Sequence, residues 1–197
     1  MALTRLAHRL ISEHFKNLPK NLAIDATLGN GHDCEFLLRQ KFKRVMGFDI
    51  QAQAIAASKH RLEIAQLNNV ELIHDGHQHL ASYINNQKHL TDSAKHQYQT
   101  IDCCMFNFGY LPKTDKKITT LATSSVSAIK AALALLSEHG LITLLCYPGH
   151  AQGAIETKAV QQTLSQLSGA YSIDEHLDDI PNAHAPILYT VKHRVNV

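Results

Sequence analysis

Three aspartates stand at the ends of three apolar runs, and their spacing carries the first chemical signal in the chain. Asp25 lies near the end of residues 21–27 (NLAIDAT), Asp49 near the end of 44–50 (RVMGFDI), and Asp75 just after 70–74 (VELIH). Between the first two runs the sequence reads Thr27-Leu28-Gly29-Asn30-Gly31-His32-Asp33. Two glycines one residue apart permit a tight bend and a close approach of backbone to a ligand. A carboxylate is anionic at neutral pH, so Asp25 suits a positively charged amino group, directly or through water. Asp49 can accept both hydroxyls of a ribose, with Ile50 and Gln51 following it. Asp75 can accept from an adenine amino group, with Gly76 and His77 beside it. Each acid also has a plainer reading. Asp25 could cap the following turn, and Asp33 could sit in the first turn of a helix. Three acids at three successive strand ends are harder to explain as caps.

A second constellation is Asn107-Phe108-Gly109-Tyr110-Leu111-Pro112. It resembles the (Asp/Asn)-Pro-Pro-(Tyr/Phe) motif of amino-methylating enzymes, with Phe-Gly in place of Pro-Pro. Methyl transfer from a sulfonium needs an amine lone pair aimed at the methyl carbon. The Asn107 side-chain oxygen and a backbone carbonyl can accept the amine hydrogens and so orient that lone pair. The Tyr110 ring can stack on a flat base or shield the methyl group. The plainer reading is a turn that closes a strand. A third patch is Cys146-Tyr147-Pro148-Gly149-His150, followed by Gly153 and Glu156. His150 could accept the amine proton or contact a phosphate; it could also be a loop histidine, and Glu156 could simply start a helix. His74, His77 and His79 invite a metal reading, but no cysteine or second cluster completes a ligand set, so no metal is expected.

These residues need a scaffold that brings strand ends together. Residues 4–16 have apolar positions at helical spacing (Leu6, Leu10, Ile11, Phe15). Strands are predicted at 21–27, 44–50, 70–74, 101–106 and 141–147, with helices at 31–40, 51–67, 77–84, 120–136 and 153–167. Gly140 is read as the stop signal of the fourth of these helices. Residues 85–99 and 111–117 read as loops. Two last strands, 171–177 and 187–193, are joined by a polar segment, 178–185, too short for a parallel crossover. Five strands apolar on both faces and separated by helices imply a parallel sheet covered on both sides. The fold class is therefore α/β, a seven-stranded, mostly parallel sheet with a C-terminal antiparallel hairpin and helices on both faces, which resembles the layout of Rossmann-like class I methyltransferases. One domain, 1–197, is expected.

Ligands of open α/β sheets bind outside the carboxyl ends of the strands, which is where all three constellations fall. The ligand that fits is S-adenosylmethionine (SAM), held by Asp25, Thr27, Gly29, Asn30, Gly31, His32, Asp33, Asp49, Ile50, Gln51, Asp75, Gly76, His77 and Asn107. The catalytic candidates are Asn107, Tyr110 and His150. A glycine-x-glycine bend alone also fits a dinucleotide, but Cys34 occupies the third glycine position of that fingerprint.

Composition sets the boundaries. The chain has 197 residues, 45% hydrophobic and 18% charged, which suits a globular fold with a full core. No apolar run approaches a bilayer span, and the amphipathic start lacks a signal-peptide pattern, so a cytoplasmic location with no membrane contact is expected. None of the four cysteines forms a CxxC pair, and they read as buried free thiols. A net charge of +2 does not announce a nucleic-acid binder and does not exclude a local basic patch.

Taken together the motifs resemble the rRNA-methylase family of class I SAM-dependent methyltransferases. That family includes bacterial tRNA methyltransferases acting on 5-aminomethyl-(2-thio)uridine at the wobble position. The resemblance rests on Asp25 to Asp33, Phe48-Asp-Ile-Gln51, Asp75-Gly-His77, Asn107 to Pro112 with Asp115-Lys116, Tyr147 to Gly153 with Glu156, and Asn182 with Pro186. The chain departs from the family pattern at Cys34, where Thr is usual, at Phe108, where Leu is usual, and at Thr114, where Gly is frequent. The 85–99 insert is also longer, which bears on RNA contact. The resemblance implies methylation of the aminomethyl nitrogen to give 5-methylaminomethyluridine. It implies a tRNA anticodon loop as partner, whose splayed base could stack on Tyr110 while Lys113, Lys116 and Lys117 meet phosphates. A homodimer is compatible with so small a domain. The alternatives are an rRNA or small-molecule amine methyltransferase, a SAM-binding protein without catalysis, and a dinucleotide oxidoreductase.

Overall fold

The computed structural model describes residues 3–86, 98–109, 121–167, 169–177 and 184–194. Tyr110, the 111–117 loop with its lysines, residues 87–97 of the polar insert, and Asn182 lie outside the described residues.

The strands are β1 Leu22–Asp25, β2 Arg44–Asp49, β3 Val70–His74, β4 Ile101–Asn107, β5 Leu136–Cys146, β6 Tyr171–Leu177 and β7 Ile187–His193. The helices are α1 Leu3–His14, α2 His32–Arg39, α3 Ala52–Ile64, α4 Leu80–Asn85, α5 Ala122–Ala134 and α6 Ala151–Ser165, with a 3-10 turn His77–His79 leading into α4. The strands form one sheet in the order β3-β2-β1-β4-β5-β7-β6. β1 to β5 pair in parallel, and β7 runs antiparallel to both β5 and β6. This is the layout expected from the sequence. Its topological switch falls between β1 and β4, where the order reverses, and that is where open α/β sheets bind ligands.

Alternate residues of each strand enter opposite cores, as the period of two requires. Leu22, Ile24, Met46, Phe48, Cys104 and Phe106 pack with Leu80, Ile129, Ala132 and Val160 on the face covered by α4, α5 and α6. Ala23, Val45, Cys103 and Met105 pack with Ile11, Phe15, Leu37 and Leu62 on the face covered by α1, α2 and α3. Each such large side chain contributes roughly 1.5–3 kcal/mol when fully buried. All four cysteines are free and buried. Leu3 and Ala7 of α1 pack on Leu145 and Leu188, which lays the amino end of α1 across the sheet.

The largest departure from the expected boundaries is at the start of β5. Gly140 does not stop the fourth long helix. α5 ends at Ala134, and β5 begins at Leu136 and runs through Gly140. The pairing jumps from Ile101↔Leu136 to Cys103↔Leu141, so β5 carries an outward excursion. Asp102 holds it: its carboxylate accepts from Ser137 Oγ at 2.8 Å and from the Asn21 amide at 2.6 Å. Gly140 is needed for space, because a Cβ there would lie 2.9 Å from the Ile101 carbonyl oxygen.

Candidate active site

The glycine bend is built by three constraints. Leu28 N–H donates to the Phe48 carbonyl, and Gly31 N–H to the Leu28 carbonyl, at 2.9 and 2.8 Å. Gly29 and Gly31 take φ of 50° and 76°, a region costly for residues with a Cβ. A Cβ on Gly31 would also come within 2.9 Å of Ser58 Cβ. Buried Ser58 donates in turn to the Gly29 carbonyl at 3.0 Å. From outside, Arg61 clamps the bend: Nε donates to the Asn30 carbonyl at 2.7 Å and a terminal nitrogen to Glu35 at 3.0 Å. Hydrogen bonds from Arg39 and Arg61 hold the Glu35 carboxyl below the usual carboxylate range.

The bend opens into a cleft of about 1200 Å³ at the carboxyl ends of the strands. That is more than one small molecule usually occupies, which leaves room for a donor and an acceptor together. Among the expected binding residues, Thr27, Gly29, Asn30, His32 and Asp33 line it from the bend. Asp49, Ile50 and Gln51 line it from β2, Asp75, Gly76 and His77 from β3, and Asn107 from β4. Asp25 and Gly31 do not line it. Gly31 lies beneath, against Ser58, and Asp25 is fully buried below the bend.

Asp25 accepts from the backbone amides of Thr27 and Cys34, while among the described residues its Oδ2 has no partner. Burial, and then the neighbouring Asp33 carboxylate, push its carboxyl well above the usual range. Asp49 bridges two loops: Oδ2 accepts from Gly29 N–H at 3.0 Å and Oδ1 from Gln51 N–H at 2.9 Å. A carboxylate has about four lone-pair sites, so both oxygens can still accept ribose hydroxyls. Asp75 accepts from Gly76 N–H at 2.7 Å, from Tyr83 at 3.1 Å and from His79 at 3.0 Å. Its burial alone would raise the carboxyl, but these donors, His79 first, hold it below the usual range. His77 donates from Nδ1 to the Ala26 carbonyl at 2.9 Å, and burial lowers its pKa. It is thus a neutral imidazole whose Nε2 is an acceptor. His74 meets the Ile50 carbonyl, so the three histidines of the 74–79 stretch go to three separate partners.

Asn107 is held twice. Its amide N–H donates to Thr27 Oγ1 at 2.7 Å, and its Nδ2 donates to Asp33 Oδ2 at 3.4 Å. The corner after β4 therefore lies directly against the glycine bend. Phe108 packs on Phe106 with ring centroids 5.4 Å apart, and Gly109 turns the chain at φ 137°. Opposite stand Tyr147, Gly149 and His150, which also line the cleft. His150 caps α6: its Nδ1 accepts from Gly153 N–H at 3.1 Å. A neutral imidazole that accepts at Nδ1 carries its proton on Nε2. In this arrangement the Nε2–H is buried and not turned to the cleft, and taking up a proton at Nδ1 would break the cap. Glu156, on the buried face of the same helix, accepts from Ser125.

Sequence reasoning missed the contribution of α1. Thr4 and Tyr147 line the cleft, and burial raises the Tyr147 hydroxyl despite its bond with Thr4. His8 Nε2 lies 2.7 Å from Asp33 Oδ1, with its ring stacked on Phe36 at 3.8 Å. The helical pattern of α1 was visible, but nothing local marks which end of a helix reaches a site 25 residues away. Leu121, Ser124 and His184 at the rim were missed for the same reason.

The residues fit an adenosyl ligand with a cationic tail. There is a glycine bend without side chains, an acid at the end of β2, a neutral histidine acceptor, and carboxylates with unmet charge under and beside the bend. The family described as "Putative rRNA methylase" matches residues 45–192. The "tRNA (mnm(5)s(2)U34)-methyltransferase, chloroplastic" of Arabidopsis thaliana is 32% identical over 184 residues, covering 88% of this chain and 63% of the relative. This chain thus spans under two thirds of that relative's length. Among solved structures, a "putative rRNA-methylase" from Clostridium thermocellum aligns with a TM-score of 0.80 at 30% identity, covering 94% of this chain and 97% of that one. A methyltransferase from Streptococcus mutans, solved in complex with SAH, aligns with a TM-score of 0.79 at 30% identity, covering 97% of both chains. The chain belongs to the rRNA-methylase family of class I SAM-dependent methyltransferases.

Proposed function

We propose that the chain is an N-methyltransferase that uses SAM to methylate the aminomethyl group of the wobble uridine in tRNA, giving 5-methylaminomethyluridine. The observation that carries this is the placing of Asn107 at the cleft wall against the glycine bend, with its backbone N–H on Thr27 Oγ1 and its side-chain Nδ2 on Asp33 Oδ2. The name of the Arabidopsis relative supports the substrate, and the SAH bound to the Streptococcus mutans relative supports the donor.

When bound, SAM would supply a sulfonium methyl group: the C–S bond breaks with its electron pair left on sulfur, the amine lone pair forms the N–C bond, and the amine's proton passes to solvent. The chain's own residues do the positioning. Asp49 would take the ribose hydroxyls, Asp75 and His77 the adenine edge, and Asp33 at the cleft wall the amino group, with the buried Asp25 beneath adding a second charge as the cationic group draws off its proton. An ionised Asp33 only accepts, so the Asn107 amide turns its nitrogen to it and keeps Oδ1 for an amine hydrogen. Fixing the acceptor nitrogen in line is an entropic gain that needs little acid–base power. His150 holds α6 in place through its cap, with Nε2 buried beneath the cleft wall. Tyr110 stacks on the splayed base. Among the described residues no helix is long and apolar enough to cross a membrane; a cytoplasmic site of action and an anticodon-loop partner belong to the same proposal.

The test uses labelled SAM with undermodified tRNA carrying aminomethyluridine, with bulk rRNA, and with small amines. Label in the tRNA, released by digestion as 5-methylaminomethyluridine, is expected. Label in rRNA or small amines alone would end the tRNA assignment. Tight SAM binding with no acceptor labelled would make the chain a binding protein.

A further inference from the structure

Resting on the function just proposed, we infer that His8 on α1 is a positioning residue for methyl transfer, acting through Asp33 to hold the Asn107 amide in the orientation that serves the amine. The three side chains form a continuous line. His8 Nε2 meets Asp33 Oδ1 at 2.7 Å, and Asp33 Oδ2 meets Asn107 Nδ2 at 3.4 Å. Asp33 is shielded, with its side chain 8% exposed, while the His8 ring is 25% exposed at the rim. A carboxylate between two donors cannot rotate without losing one of them, and the short bond to His8 is the stronger anchor of the two. The His8 ring is fixed independently: it lies flat on Phe36, 1° from parallel. The helix that carries it is fixed by Ile11 and Phe15 in the core below and by Leu3 and Ala7 on Leu145 and Leu188.

The geometry sets the tautomer. Asp33 accepts, so His8 presents Nε2–H whether the ring is neutral or charged. Without that donor, Asp33 is free to turn away from Asn107 within the cleft wall, where it would compete for the amine hydrogens that Asn107 is there to accept. His8 touches neither donor nor acceptor and does not line the cleft. It therefore works on the rate of transfer through orientation, while Asp33 keeps the charge it offers the cofactor's amino group, so that cofactor affinity changes little.

Two variants separate this from a packing role. His8→Phe keeps the stack on Phe36 and removes the N–H. His8→Gln gives up the ring and restores an N–H at similar reach. Each is compared with wild type for kcat and KM on aminomethyluridine tRNA, for SAM affinity by calorimetry, and for the Asn107 side-chain amide resonances by NMR. His8→Phe is expected to lower kcat about tenfold, leave KM and SAM Kd within about twofold, and shift the Asn107 amide signals. His8→Gln is expected to recover most of the lost rate and return the signals toward wild type. Wild-type kcat with unmoved Asn107 signals in His8→Phe would overturn the assignment. So would His8→Gln as slow as His8→Phe, or a loss of SAM affinity that tracks the loss of rate. If wild type methylated no amine at all, the proposed function would fail by itself, and the NMR arm would still decide whether His8 orients Asn107.

Discussion

Asp25 and Asp102 are buried carboxylates on adjacent parallel strands, one at the carboxyl end of β1 and the other near the amino end of β4. Asp102 has its donors: the Asn21 amide at 2.6 Å and Ser137 Oγ at 2.8 Å, with His139 Nε2 3.2 Å away. It ties β5's excursion to the start of β1. Asp25 has an oxygen without a partner among the described residues, and two further carboxylates, Asp33 and Asp49, raise its pKa on top of burial. A buried polar group left unmet costs stability. One end of the sheet is thus satisfied and the other is short of a positive charge. That shortfall lies under the glycine bend, where a cationic amino group would relieve it.

The largest effect is expected at the satisfied end. Asp102→Ala strands the Asn21 amide and Ser137, and should lower unfolding free energy by about 3 kcal/mol in urea titrations, with SAM affinity unchanged. If SAM affinity fell as well, the two ends would not be independent. Next, Asp49→Ala removes the ribose acceptor and the brace on Gly29, and should weaken SAM binding about thirtyfold, close to 2 kcal/mol, with a smaller effect on stability.

Asp25→Asn sharpens the contrast because it has opposite signs for the two properties. The raised pKa means that the native chain binds this proton more tightly than the unfolded chain does. The stability it brings is present below the unfolded carboxylate value of about 3.9 and is lost as pH rises through the folded value. The ligand-free variant should therefore melt higher than wild type at pH 8 and no differently at pH 4. Its SAM affinity should fall about tenfold. A variant that melts lower at pH 8 would mean that the carboxylate is already matched in the free protein. The smallest effect belongs to Arg61→Ala, outside the bend: about a threefold loss of SAM affinity, read by calorimetry.

The sheet was legible because its signals are local. Apolar runs of strand length, separated by helical periods, placed β3, β6 and β7 at the observed residues and the other strands within a few, apart from the amino end of β5. Gly140 misled because a glycine after a helix has two uses, a cap or a close approach, and only the Ile101 carbonyl beside it decides which. The bend was legible because positive φ restricts residue choice. Which acid faces the cleft was not. Asp25 and Asp33 are both near the bend, and only the turn of α2 brings Asp33 to the cleft wall and sends Asp25 beneath it. His8 was invisible for a related reason, since its partner is 25 residues away and joined to it only by tertiary packing.

The most direct measurement is single-turnover transfer from labelled SAM to aminomethyluridine tRNA by wild type and Asn107→Ala, with SAM affinity measured on the same preparations. The rate should fall at least about a hundredfold while Kd for SAM stays within about threefold. Transfer by Asn107→Ala at the wild-type rate would contradict the role of this corner as the holder of the acceptor nitrogen.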